Sequence, residues 1–242
     1  MTDDKNTVDL AAGSIRPLIL RLSVPPSIGF AILFLFQLVD LFWVSRLGAD
    51  ALAAFAFTLP ITLLILSLTM GLGLGVTAVV ARAIGAGESE AAPRLGSHSL
   101  VLALACGACL TLLGLELNQH IFTLLGAPRE LIGTIAGYMR VWFCGYPLLI
   151  MGHACCSTIR ATSDTRTPTL VSIAAGLLSI GIGPLLIFGI GPFPRLGLSG
   201  AAAANVFSWG VSLAAIVVIM RRRGLIELTH LWGINRWLAS WR

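Results

Sequence analysis

From Leu52 to Ile84 the chain reads LAAFAFTLPITLLILSLTMGLGLGVTAVVARAI, and its first charged residue is Arg82. A helix that crosses a bilayer needs about 20 mainly apolar residues. This run exceeds that length, and a soluble protein exposing such a helix would aggregate. The run therefore sets the class: an all-α polytopic membrane protein whose solvent is lipid.

Working outward, five more segments of spanning length follow the same pattern. They run from about Leu22 to Val44, Leu95 to Leu117, Ile132 to Ile159, Leu170 to Ile190 and Leu198 to Met220. Turn chemistry separates them. Gly48, the Gly85-Ala86-Gly87 stretch, Gly126-Ala127-Pro128, Ser163 to Pro168, and Gly191-Pro192-Phe193-Pro194 fall in the gaps. Glycine and proline end helices there for backbone reasons. The expected organisation is a tail over 1–14, a six-helix transmembrane lobe over 15–223, and a segment over 224–242. That last segment is too short and polar to span. Its Trp232, Trp237 and Trp241 suit an interfacial amphipathic helix, a linker or an unstructured tail.

Composition agrees. Of 242 residues, 57% are apolar and 11% charged, against about 25% charged in a soluble domain. The net charge of +5 sits in short gaps between apolar runs, so the expected partner is membrane lipid and not nucleic acid. Gaps on one side hold Arg16, Arg21, Arg82, Arg94, Arg160, Arg166 and Arg221 to Arg223; the other side holds Arg46, Arg129 and Arg195. The positive-inside rule then places both termini in the cytoplasm of a cell (inner) membrane protein, as an even number of crossings requires. The polar, acidic stretch Met1 to Gly13 lacks the basic start of a signal peptide, so the first apolar segment is expected to be retained.

Asp40 carries the most chemical information. It lies inside the first segment, and an ionised carboxylate in hydrocarbon costs at least ~2.5 kcal/mol on insertion scales. It either faces a cavity or polar partner, taking part in proton or cation coupling, or lies close enough to the interface to be solvated. Gln37, three residues earlier, shares its helical face. Asn205 follows the small-residue run Gly200 to Ala204, where close helix approach lets it bond across or line a cavity with Asp40. Pro25-Pro26 kinks the first helix as a hinge or simply opens it.

Other polar groups point elsewhere less strongly. Glu116, Asn118 and His120 fall at the end of the third segment, where an interface would solvate them. An intramembrane enzyme would need Glu116, His153 and the cysteines to converge within about 3 Å. No second histidine or carboxylate stands at ligand spacing, Cys106-Gly-Ala-Cys109 is a lone pair of thiols, and no metal site is expected. Gly71-Leu-Gly-Leu-Gly75 follows an apolar helix and lacks a phosphate-loop lysine, so close packing explains it better.

Taken in order, several stretches resemble the multidrug and toxic compound extrusion (MATE) family. They are VDLFWVSRLGADALAA (Val39 to Ala54), TLP ending at Pro60, and GLGLGVTAVVARAIGAGESEAA (Gly71 to Ala92). LLGAPRELIGTIAGYMR (Leu124 to Arg140), IRATSDTRTPT (Ile159 to Thr169) and LGLSGAAAAN (Leu196 to Asn205) continue the series. The resemblance implies two pseudo-symmetric six-helix lobes around a central cleft. It implies a secondary antiporter, not an enzyme, that exports cationic or amphipathic drugs and toxic compounds, driven by proton or sodium influx. Asp40 matches the family's acidic residue of the first helix. Some members add an Asn-x-x-x-Asp pair in the fifth helix; here Ser179 and Gly183 stand at those positions. With fewer oxygens available than a hard cation takes, protons are the expected coupling ion and sodium the alternative; Ser179 is left, with Asn205 and Gln37, as a lining residue. No cofactor is expected. The resemblance covers only an amino-terminal lobe, so the missing partner is a second six-helix lobe, on a longer chain or another chain. The alternatives are a lipid-linked flippase of the related superfamily and an inactive half-transporter.

Overall fold

The computed structural model describes residues 31–32, 34–87 and 91–226. Pro25, Pro26, the tail over 1–14 and residues 227–242 lie outside the described residues.

Among the described residues six helices follow one another: α1 (Phe34–Ser45), α2 (Ala49–Gly85), α3 (Ala91–Leu124), α4 (Arg129–Ala161), α5 (Arg166–Phe188) and α6 (Leu198–Arg222). No strand occurs among the described residues. The turn signals act where they stand in sequence. Gly48, Gly126 and Gly197 take positive φ between helices, and Gly189 closes α5 in the left-handed region at φ 71°. Ser163 does so too, at φ 66°, turning the chain from α4 into α5.

The helices run alternately up and down. At one end, the C-termini of α2, α4 and α6 meet the N-termini of α3 and α5, as the packing of Leu95 and Ala161 against the Val76 and Val80 cluster, and the pairing of Arg223 with Asp164, show. This end carries Arg82, Arg94, Arg160, Arg166 and Arg221 to Arg223 and is called the basic end below. At the opposite end Trp43 meets Phe188 edge-on with ring centroids 6.1 Å apart.

Helix α3 extends further than the sequence suggested, so Glu116, Asn118 and His120 all lie within it. Glu116 and His120 are exposed, but Asn118 is buried and donates to the Ala136 carbonyl of α4 at 3.0 Å. An interhelical partner, not interfacial water, satisfies that donor.

Among the described residues four helices are each long and apolar enough to cross a membrane: α2, the part of α3 from Pro93, α5 and α6. Helix α4 has the length but a more polar composition, with Arg140 and His153 in its body. Its position explains this. It packs against α2, α3 and α6, and fifteen of its residues are buried. A helix shielded by neighbours needs polar and small side chains that fit them, not lipid-soluble ones. Exposed positions of the other helices show the converse: Leu63 and Leu64 of α2, Leu112 of α3, Leu170 of α5 and Phe207 of α6 are all more than half exposed. Such a leucine-studded surface is stable only in hydrocarbon.

Lipid supplies little hydrophobic drive between helices, so close packing and interhelical hydrogen bonds hold the lobe together. Glycines make the notches. A Cβ at Gly114 would strike the Phe143 ring, one at Gly107 would strike Pro147 and Ile150, and one at Gly145 would overlap Val206. Of Gly71, Gly73 and Gly75, only Gly73 is a packing glycine, with Ser157 Oγ 2.7 Å from where its Cβ would sit. Polar bonds add to these contacts. Thr111 Oγ1 donates to the Phe143 carbonyl at 2.8 Å, and Thr77 Oγ1 to the Ser157 carbonyl at 3.2 Å. The Tyr146 hydroxyl reaches across to α2, meeting Thr69 Oγ1 at 2.6 Å and the Ile65 carbonyl at 3.0 Å.

Candidate functional site

Asp40 sits on α1, partly buried, against Asn205 of α6. Asn205 of α6 donates through Nδ2 to Asp40 Oδ2 at 3.3 Å and to the carbonyl of Ala201 at 3.2 Å. Ser179 of α5, which is 6% exposed, donates through Oγ to Asn205 Oδ1 at 2.9 Å. The amide thus accepts from a hydroxyl on one side and donates to a carboxylate on the other. Polar groups joined head to tail in a medium of low dielectric polarise and strengthen one another.

Local sequence explains how three helices bring their side chains together. The run Gly200 to Ala204 lets α6 come close: the position of a Cβ on Gly200 is only 2.5 Å from the Leu186 carbonyl oxygen of α5. Backbone bonds from Leu196 to Leu186 and from Gly197 to Ile187 fix that approach. On the other side, the Phe36 ring of α1 fills the notch at Gly176 of α5. By the ~1.5 Å rise of a helix, Asp40, Asn205 and Ser179 lie about 8, 10 and 14 Å in from the nearest ends of their own helices. All three helix ends belong to the end opposite the basic one.

Asp40 has a donor in Asn205, the kind of partner by which intramembrane carboxylates are accommodated. Tyr138 of α4 is buried within electrostatic range of Asp40 and meets Phe55 edge-on at 5.9 Å. One turn beyond Asp40, Trp43 has its indole Nε1 buried without a partner, one of two such side-chain atoms among the described residues; Asn118 Oδ1 is the other.

Of the sequence-derived candidates, Asp40, Asn205 and Ser179 therefore come together. Gln37 is exposed, and among the described residues no hydrogen bond joins it to the three. Gly183 is buried but contributes no side-chain oxygen. The enzyme constellation is not assembled: His153 Nδ1 lies 3.3 Å from the Leu149 carbonyl of its own helix, while Glu116 is exposed on α3. Among the described residues no group of three or more His, Cys, Asp or Glu is placed to hold a metal ion.

Sequence reasoning missed two polar constellations. One is the Tyr146–Thr69 link, for which an isolated tyrosine in an apolar run was the only signal. The other is an ion pair between Arg223 Nη1 and Asp164 Oδ2 at 2.6 Å. Asp164 standing three residues before Thr167, with Pro168 next, has the spacing of a helix start. Asp164 Oδ1 accepts from the backbone N–H groups of Arg166 and Thr167 at 3.0 and 3.1 Å. Slight desolvation alone would raise its pKa, but the Thr167 hydroxyl and N–H bonds and the Arg223 guanidinium outweigh it and hold the carboxyl at about 2.

Comparison with known proteins covers nearly all of the chain. The MatE family model matches residues 25–185. The chain is similar to the FAD transporter of Shewanella oneidensis, with 38% identity over 239 residues, 98% of this chain and 52% of that protein. It is similar to the probable multidrug resistance protein YoeA of Bacillus subtilis, 31% identical over 188 residues, 77% of this chain and 41% of that protein. Among solved structures, the Vibrio cholerae MATE transporter VcmN in its bent form superposes with a TM-score of 0.82 at 31% identity. That match covers 93% of this chain and 50% of VcmN. The chain spans about half the length of the relatives it matches.

Proposed function

This chain belongs to the MatE family of multi-pass membrane transporters, and from that premise we propose that it is the amino-terminal lobe of a proton-coupled exporter of cationic or amphipathic compounds. In this proposal a second six-helix lobe closes the transport cleft, and both termini face the cytoplasm at the basic end. The observation that carries it is the hydrogen-bonded chain from Asp40 through Asn205 to Ser179. It links α1 to α5 and α6 at a carboxylate inside the membrane.

The chemistry favours a proton over sodium. Sodium, like other hard cations, takes about six or more oxygens. The oxygens gathered are the two of Asp40, Asn205 Oδ1 and Ser179 Oγ, and the last two are already bonded to each other. Protonation needs no cage. It removes the negative charge that Asn205 Nδ2 is drawn to and loosens the polar tie between α1 and α6, which lets an incoming proton alter how the helices pack.

The test uses the transporter assembled with its second lobe in sealed vesicles. Asp40→Asn is expected to abolish efflux of a cationic dye driven by an imposed pH gradient. Efflux with unchanged rate and unchanged pH dependence would overturn the coupling role. A second reading concerns cargo alone: likeness to the Shewanella FAD transporter favours a flavin dinucleotide. The same vesicles loaded with FAD or with dye discriminate the two.

A further inference from the structure

At the basic end, three observations converge on the chain as it leaves α6. The first is a closed ring of polar bonds. Thr167 Oγ1 donates to Asp164 Oδ2 at 2.6 Å, Arg223 Nη1 donates to the same oxygen at 2.6 Å, and Arg223 Nη2 donates to Thr167 Oγ1 at 3.0 Å. Because Asp164 Oδ1 also holds the first N–H groups of α5, the ring ties the exit of α6 to the entry of α5. The second is the cap on α6. Gly224 takes φ 66°, and the N–H groups of Gly224 and Leu225 donate to the carbonyls of Arg221 and Met220 at 3.2 and 3.0 Å. This left-handed cap folds the chain back across the helix end. The third is a receiving surface. The Leu225 carbonyl oxygen lies 2.5 Å from where a Cβ on Gly96 of α3 would stand, and Ile226 is 6% exposed within a cluster containing Cys155, Ile159 and Met220.

We propose that this surface is a docking site for the chain's own post-α6 segment, with Arg223 as the positioning residue that directs it onto α3. A backbone carbonyl seated in a glycine notch and an aliphatic side chain sealed between helices go beyond what a helix end needs to stop. They make Leu225 and Ile226 part of the lobe. On the reading given under Proposed function, this segment opens the connector to the second lobe. The dock then fixes where that connector departs, and carries its motion to α6, the helix that bears Asn205.

The sequence supplies its own reporter. Arg221, Arg222 and Arg223 are tryptic sites, and cleavage there requires the α6 end to open locally. The full chain in lipid nanodiscs is treated with trypsin, and initial cleavage after these arginines is measured. Asp164→Ala and Thr167→Val each break the ring and leave Arg221, Arg222 and Arg223 as tryptic sites; each is expected to raise the rate, Asp164→Ala about tenfold or more, since cleavage tracks the open population. Gly96→Ala, which leaves the ion pair intact, is expected to raise it also by displacing Leu225. Native cleavage rates in Asp164→Ala, Thr167→Val and Gly96→Ala would overturn the proposal. Transport is not measured here, so a silent Asp40→Asn would leave this result standing, and an unprotected α6 end would leave the exporter reading standing.

Discussion

Replacing Gly200 by alanine adds one methyl group, on α6, that the structure has no room for. The added Cβ would lie 2.5 Å from the Leu186 carbonyl oxygen, 2.6 Å from its carbon and 2.9 Å from the Ile187 nitrogen. These are backbone atoms of α5, so no side-chain rotation relieves the clash. Reaching an ordinary carbon–oxygen separation of about 3.3 Å requires the two helices to part by ~0.8 Å. Asn205 lies only about 7.5 Å further along α6, so it moves too. The Ser179–Asn205 bond, now 2.9 Å, would open to about 3.7 Å, beyond the reach of a hydrogen bond. Overpacking of this kind costs about 1–3 kcal/mol. Alanine recovers up to ~1 kcal/mol of helix propensity, less in a first turn. The net expectation is about 1–2 kcal/mol of destabilisation, a factor of about 5–30 in the folded-to-unfolded ratio. Reversible unfolding of the purified chain in mixed micelles measures this through tryptophan fluorescence, since Trp142 and Trp209 meet edge-on across α4 and α6 with centroids 5.3 Å apart. Gly210→Ala, on the same helix, is the control. Its Cβ would meet only Leu148 Cδ1, at 3.7 Å, and it is expected to be neutral or stabilising. If Gly200→Ala unfolds no more easily than Gly210→Ala, the close approach of α5 and α6 does not set the geometry of the site.

Three further outcomes follow from the same geometry. Tyr146→Phe removes the hydroxyl that joins α4 to α2 and should cost about 0.6–1.7 kcal/mol, the range for interhelical bonds in membranes, in the same unfolding assay. Asn205→Ala should slow efflux by the assembled transporter about tenfold or more, whereas Ser179→Ala, which leaves the Asp40 contact in place, should slow it about fivefold or less; initial rates of dye efflux distinguish them. Asp164 has a folded pKa of about 2 against its ordinary 3.8, so its contribution to stability is complete above pH 4 and is lost as pH falls towards 2. The difference in melting temperature between the native chain and Asp164→Asn should therefore hold steady from pH 7 to about 4 and shrink below it.

The spans were legible in sequence because lipid imposes one simple demand, a long apolar run, and turn residues break the runs where helices end. The ends of α3 were less legible. Glu116 and His120 look interfacial by composition, and only tertiary packing shows that the helix carrying them continues to Leu124. Of the site, Asp40 announced itself through the cost of burying a charge, and Asn205 through the small-residue run before it. Ser179 entered only through the family resemblance, because serine in a membrane helix ordinarily bonds its own backbone and signals nothing. Gln37, three residues before Asp40, is exposed and takes no part in the hydrogen-bonded chain. The Asp164–Arg223 pair was hidden because its members are far apart in sequence and each had an adequate local explanation, one as a turn residue and the other as a positive-inside charge.

The distribution of glycine notches and polar bonds separates the lobe into two kinds of joint. Helices α3, α4 and α6 are locked by shape, through Phe143 against Gly114, Pro147 against Gly107 and Val206 against Gly145. Shape-locked joints have few intermediate positions, since close-packed interiors do not deform smoothly. Helix α1 is held in both ways: Phe36 locks it by shape to α5 through the notch at Gly176, while its contact to α6 is polar. Its polar contact to α6 is the Asn205–Asp40 bond at 3.3 Å, long for a bond to a carboxylate, and Phe36 and Trp43 supply its aromatic contacts to α5. A change of charge on Asp40 therefore acts on the joint whose energy depends on charge, while the α3–α4–α6 scaffold holds its shape. The same asymmetry bears on Gly200. It lies at the boundary, shape-locking α6 to α5 one turn from Asn205, so a substitution there disturbs the polar joint without altering any of its chemical groups.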